Sequence, residues 1–267
     1  MRDAGAAQRA RGIALTREVP ASIARCELTH LVREPIDLVR ARAEHEAYEG
    51  ALAALGFVVR RMAATPELPD SVFVEDAAVV LDEIAVVTRP GAASRRAEVP
   101  TVCESLAGLR PLRSMQAPAT LDGGDVLVLE REIVVGLSAR TSRAGAEQLG
   151  AFVTPFGYRV RTLPVTQCLH LKSAVTRAGV HALAVNPAWV DPAAFPGWEV
   201  VEVDPAEPMA ANVLYAGGAD GGPALAAEGF PRTVERLRRH GLDVRTVPAF
   251  ELAKAEGGVT CCSLIAR

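Results

Sequence analysis

The chain has 267 residues, 49% of them hydrophobic and 23% charged, with a formal net charge of −3. A chain of this length can bury a core without disulfide or metal staples, and this balance excludes a disordered polymer. The slightly acidic charge offers no footprint for nucleic acid or anionic lipid, no apolar run reaches the ~20 residues of a membrane span, and MRDAGAAQRARG lacks the apolar stretch of a signal peptide.

Residues 1–11 read as a disordered tail, and 12–267 as one domain, because no Gly/Ser- or Pro-rich linker interrupts it. IALTREV (13–19) reads as a strand. Residues 36–55 read as an amphipathic helix ending at Gly56, and FVVRRM (57–62) as the next strand. VFVEDAAVVLDEIAVVTR (72–89) reads as two strands turning at Asp82-Glu83, followed by a helix from Ser94 to Leu109. DVLVLEREIVVGL (125–137) is a second hairpin, then a helix from Thr141 to Phe156 and a strand at 158–165. Strand-rich segments start at Ser173 and Asn212, a helix spans 231–240, a strand follows at 243–250, and CCSLIAR (261–267) is the last strand.

The pattern repeats. Equivalent segments begin at Asp76, Asp125, Ser173, Asn212 and Cys261, at intervals of 49, 48, 39 and 49 residues. A period near 50 containing strands and a helix predicts an α/β-propeller rather than all-β blades. Five modules close if the C-terminal strand pairs with the strand at 13–19. In such a ring the module starts converge on a central funnel. That would bring together Glu75-Asp76, Asp122 with Asp125, His170, Asn212 and Cys261.

These residue types carry chemistry. Cys261 in GGVTCC is a candidate nucleophile, and Cys262, on the opposite face of a strand, a candidate for the core. His170 is a candidate general acid/base on an alternating strand. Asp70, Glu75 and Asp76 in LPDSVFVED suit a guanidinium, which a carboxylate matches bidentately. Arg95 and Arg140 follow hairpins at matching module positions and suit a carboxylate. Acids for a guanidinium, arginines for a carboxylate and a Cys–His pair between them describe an arginine-like substrate. The five cysteines are an odd set without CxxC spacing, which predicts free thiols in a reducing, cytoplasmic compartment and no metal site. Cys168 and His170 on one strand face would supply only two ligands. Glu44-His45 reads as part of a solvated helix face. The scarcity of lysine, only Lys172 and Lys254, reads as genome composition.

LPDSVFVEDAAVV, TRPGAASRR, TLDGGDVL, VGLSART, LHLKSAV and GGVTCCS, in this order over residues 13–265, resemble the dimethylarginine dimethylaminohydrolase family. The resemblance implies the pentein fold, a five-module pseudo-symmetric α/β-propeller with a central active-site funnel. It implies hydrolysis of Nω-methylated arginines to citrulline and dimethylamine or methylamine through a covalent Cys S-alkylthiouronium. In this reading Cys261 is the nucleophile, His170 the acid/base and Asp122 the carboxylate that orients it. Asp76 binds the guanidinium with Glu75 in support, Asp70 lies near the α-amino group, and Arg95 and Arg140 clamp the α-carboxylate. Glu27, in the short lid segment ASIARCELTHLVREPID (21–37), falls where a leucine often offers its backbone carbonyl to the substrate amine. No cofactor is implied, and the partner is the small-molecule substrate, with the protein a monomer or homodimer. Arginine or agmatine deiminase, another guanidino hydrolase and amidinotransferase chemistry share this core; a propeller-fold binding protein is the non-enzyme alternative.

Overall fold

A computed structural model of the protein describes residues 11–267. Apart from Arg11, the stretch expected to be a tail lies outside the described residues. Strand β1 (Gly12–Arg17) leads across helix α1 (Leu38–Ala54) to β2 (Phe57–Met62). The second unit is β3 (Ala78–Val80), β4 (Ala85–Val87), α2 (Val99–Leu106) and β5 (Leu112–Ser114). The third is β6 (Val126–Leu129), β7 (Glu132–Leu137), α3 (Arg143–Val153) and β8 (Arg159–Pro164). A one-turn helix α4 (Leu171–Ala174) then opens β9 (Val175–Arg177), β10 (Ala182–Val185) and β11 (Glu199–Glu202). The fifth set is β12 (Leu214–Tyr215), β13 (Ala224–Ala227), α5 (Pro231–Arg239) and β14 (Val244–Val247), followed by the short α6 (Phe250–Ala253) and β15 (Leu264–Ala266).

The described strands form five three-stranded sheets of one design. In each, the first strand runs antiparallel to the second and the second parallel to the third. The parallel step needs a crossover, which a helix supplies in four units. In the fourth, the 3-10 turn Pro192–Ala194 takes its place, which accounts for the 39-residue interval. The ring closes as expected: β15 pairs antiparallel with β1, Ile13 opposite Ala266 and Leu15 opposite Leu264, so the first and last strands complete one module with β2.

Helix faces and sheets build the core together. Ala146, Leu149 and Val153 of α3 pack on Ile133 and Val135, and Ala41, Tyr48 and Leu52 of α1 on Ala14 and Phe57. Burying a leucine such as Leu149 stabilises the fold by about 1.5–3 kcal/mol. Helix α1 begins at Leu38 rather than at 36, because the Asp37 carboxylate accepts the N–H groups of Val39 (2.9 Å) and Arg40 (3.1 Å). Gly56, with φ of 93°, follows its end and lets the chain turn into β2.

The expectation of a solvated Glu44-His45 is overturned, since both are buried. Glu44 accepts Arg40 Nε (2.9 Å) and the Glu251 N–H (2.8 Å). Burial lowers His45 to about 4, leaving it neutral beside Glu49. The 250–256 segment covers this face of α1, a tertiary contact invisible in the helix's own periodicity.

Three strand readings also change. Val74–Ala77 is a 3-10 turn, His170 precedes α4, and Cys261 and Cys262 lie in a turn ahead of β15. Cys262 is nonetheless buried in the core beside α1. The common cause is the module entry. A helical turn can direct neighbouring side chains such as Glu75 and Asp76 to one region, whereas adjacent residues in a strand point to opposite faces.

Candidate active site

The entry turns of separate modules meet over one cavity. About 80 Å³ in volume, it is lined by Cys261, His170, Glu75, Gly124, Asn212 and Glu256, with an apolar wall that includes Met209 and Phe230. A smaller lobe, about 20 Å³, shares Cys261, His170 and Glu256 and adds Asp70, Asp76, Arg95, Arg140 and Glu27. All nine residues singled out for substrate or catalysis except Asp122 therefore line these two spaces, and Asp122 lies directly behind His170. A larger cavity of about 560 Å³ meets the first at Glu75 and Lys172 but is lined by neither Cys261 nor His170, so volume alone would misplace the site.

His170 Nε2 lies 3.0 Å from Asp122 Oδ2, and its Nδ1 3.8 Å from Asp76 Oδ1. Asp122 is fully buried; its other oxygen accepts the Gly91 N–H at 2.8 Å. Burial works against a charged His170, but Asp76, the Asp122 hydrogen bond and Asp125 prevail and raise it to about 9. The imidazolium is thus the neutral-pH form. Asp125 does not touch the ring: it accepts the Leu171 N–H (2.9 Å) and the Ser138 hydroxyl (2.6 Å), anchoring the start of α4 and with it His170.

Gly124 explains the GG pair of TLDGGD. A Cβ there would sit 2.6 Å from His170 Nδ1 and 2.8 Å from Asp76 Oδ1, inside contact distance. Its N–H donates to Asp76 Oδ1 at 3.0 Å. The motif therefore lets one module's backbone approach the side chains of two others.

Cys261 is pushed up to about 12, by burial first and then by the charges of Glu75 and Asp76; the Gly258 N–H, 3.4 Å from Sγ, and Thr260 oppose this weakly. Its resting form is a thiol. Glu75 is held by Lys172 (Nζ–Oε1 2.6 Å) and by the Thr260 hydroxyl (2.7 Å), and Asn212 Nδ2 donates to Thr260 Oγ1 (3.0 Å). Thus one of the two lysines, read from the sequence as composition, belongs to the site's floor. Its place beside His170 in LHLKSAV was the signal available.

The arginines differ. Arg95 is buried, donates to both Glu98 oxygens (3.1 and 2.8 Å), to the Phe73 carbonyl (2.9 Å) and the Asp70 carbonyl (3.2 Å), and pairs with Asp76. Its guanidinium is largely committed to the protein. Arg140 is freer, with Thr29 Oγ1 and Glu27 Oε2 each 3.4 Å from its Nη2. Asp70, also buried, accepts the Glu27 N–H at 3.2 Å on each oxygen. Glu256, unremarked in the sequence, gathers the N–H groups of Thr29, His30 and Leu31, drawing the 26–36 segment over the cavity.

Asp76, Asp122 and His170 bring three ligand-type atoms within 4.8 Å of one another. The carboxylates are engaged by Arg95, Gly124 and Gly91, and the Arg95 charge opposes a second cation. The cluster is built as a hydrogen-bonded acid/base pair beside an arginine. Among the described residues, no helix is long and apolar enough to cross a membrane.

Five sheet-and-helix modules around a Cys–His–Asp cavity define a pentein-fold, guanidino-modifying hydrolase. A model of the family described as N,N dimethylarginine dimethylhydrolase, eukaryotic, matches residues 30–180. The dimethylarginine dimethylaminohydrolase of Streptomyces coelicolor is 40% identical over 95% of this chain and 96% of its own, and that of Pseudomonas aeruginosa 32% over 85% and 89%. The chain belongs to the dimethylarginine dimethylaminohydrolase family. A solved structure of the P. aeruginosa protein, a cysteine-to-serine variant complexed with citrulline, superposes with a TM-score of 0.89 at 29% identity, covering 95% of this chain and 98% of that one. The N-terminal domain of the cyanobacterial arginine dihydrolase ArgZ, at 17% identity, shares the fold with a TM-score of 0.83 over 96% of this chain and 98% of that one.

Proposed function

We propose that this protein hydrolyses Nω-methylated arginines to citrulline, releasing dimethylamine or methylamine. The observation that carries this is the cavity itself: Cys261 beside an imidazolium held by Asp122, with acids and arginines in the adjoining lobe. Asp76 and Glu75 hold the guanidinium, Asp70 receives the α-ammonium and Arg140 the α-carboxylate, with Arg95 adding positive charge behind it. The cationic substrate favours the Cys261 thiolate, which the empty site disfavours, and the thiol proton leaves to solvent as the substrate binds. The thiolate attacks the guanidino carbon, and His170 passes its proton to the departing amine as the carbon–nitrogen bond breaks. This leaves an S-alkylthiouronium. The now neutral His170 takes a proton from water, the hydroxide adds to the same carbon, and the neutral adduct expels the sulfur as thiolate while its hydroxyl proton leaves to solvent, giving citrulline. Overall the guanidinium and one water become citrulline and the amine, which takes up the released proton as an ammonium ion, so atoms and charge balance and the reaction calls for no cofactor. A nucleophile that must remain a free thiol fits a cytoplasmic enzyme, and all five cysteines are unpaired.

The test is citrulline formation from asymmetric dimethylarginine, monomethylarginine and arginine, beside Cys261→Ser. Turnover of the methylated compounds, abolished in the variant, is expected. Citrulline from arginine alone would move the protein to deiminase chemistry.

A further inference from the structure

The lid segment carries an acid that the mechanism above does not use. The Glu27 side chain is 41% exposed; its Oε2 lies 3.4 Å from Arg140 Nη2, and its other oxygen accepts the Ser94 hydroxyl. Its own N–H is fixed on Asp70, and Glu256 ties down the backbone two residues later. The carboxylate is therefore held on the guanidinium that an amino-acid substrate's α-carboxylate requires. It also adds a second negative charge beside Asp70, at the end that receives the substrate amine.

We infer that Glu27 is a specificity-determining residue, which weakens discrimination between methylated arginines and the corresponding N-methylated guanidino-alkylamines that lack the α-carboxylate. This rests on the proposed role of Arg140. An arriving α-carboxylate must displace Glu27 from Arg140, which raises KM for the amino acid. A substrate ending in an amine alone displaces nothing; it meets a neutralised Arg140 and two acids rather than an unpaired cation. The ion pair is partly exposed and of modest strength, so each effect is a small factor.

The experiment compares asymmetric dimethylarginine with N,N-dimethylagmatine in the wild type, Glu27→Gln and Glu27→Leu, with thermal melts establishing that the variants are folded. In both variants KM for dimethylarginine falls about two- to five-fold and KM for dimethylagmatine rises by a similar factor, the range expected of a partly exposed pair. The ratio of kcat/KM values then moves about tenfold toward the amino acid. A ratio within about twofold of wild type in both variants overturns the inference, since the smallest combined effect exceeds that. A rise in KM for dimethylarginine in both also overturns it, because Glu27 would then be serving the amino acid directly. Absence of wild-type turnover of dimethylarginine would instead sink the reading of the site, and this inference with it; turnover of dimethylarginine with none of dimethylagmatine overturns the inference alone.

Discussion

At the residue scale, environment decides what each group can do. Cys261 and His170 share a cavity but are shifted by opposing balances. Burial and the neighbouring acids Glu75 and Asp76 hold the thiol proton on Cys261, pushing it to about 12. The same kind of acid charge outweighs burial at His170 and raises it to about 9. The free enzyme therefore rests as thiol and imidazolium, and the thiolate fraction climbs about tenfold per pH unit below its pKa. Alkylation of Cys261 by iodoacetamide, followed by peptide mass spectrometry to separate it from the four other thiols, is expected to accelerate continuously from about pH 7 to 10. A plateau below about pH 9 would contradict the resting thiol.

At the element scale, the recurring device is the short helical turn at the entrance of a module. Val74–Ala77, Gly123–Asp125 and Leu171–Ala174 are three versions of it. Each delivers polar residues to the funnel before its strand begins. Their mutual approach depends on Gly124, so Gly124→Ala is expected to force the His170 ring and Asp76 apart. Displacement near 1 Å costs about 10²-fold in catalysis, whereas overpacking costs about 1–3 kcal/mol of stability. Kinetics and thermal melts on the same preparation separate the two. A variant that keeps full kcat/KM would show that this close approach is not needed for turnover.

Legibility in the sequence also divides at this scale. Short continuous apolar runs broken by charged pairs mark β6, β7 and the hairpin turning at Asp82-Glu83, because those strands are buried on both faces. Val74–Ala77 and the segments at His170 and Cys261 read as strand in the sequence but are turns, because their dihedrals answer to residues of other modules, such as the Glu75 N–H donating to the Cys261 carbonyl. Glu256 carries no sequence signal, and Lys172 reads only as composition, for the same reason: their partners lie far away in the chain.

At the scale of the whole molecule, the ring depends on pairing its two ends. Leu264 and Ala266 are buried, and β15 holds β1 along three residue pairs. Cys261 lies just before this strand. Deleting residues 264–267 removes a buried leucine and several ladder hydrogen bonds, together about 3–6 kcal/mol against a total stability of about 5–15 kcal/mol. Urea denaturation is expected to show that loss, and activity is expected to fall with it. Undiminished stability and turnover would mean that the propeller closes without its last strand.

The sequence by itself determined the module count, the α/β character, the ring closure and the residue types of the site, because these follow from periodicity, spacing and side-chain chemistry. Only the tertiary structure decided that His45 is buried and neutral, that Arg95 is spent on Asp76 and Glu98, and that Glu27 turns its carboxylate to Arg140. The physical reason is that a charge is defined by its desolvation and its partners. Here those partners are brought together from distant parts of the chain.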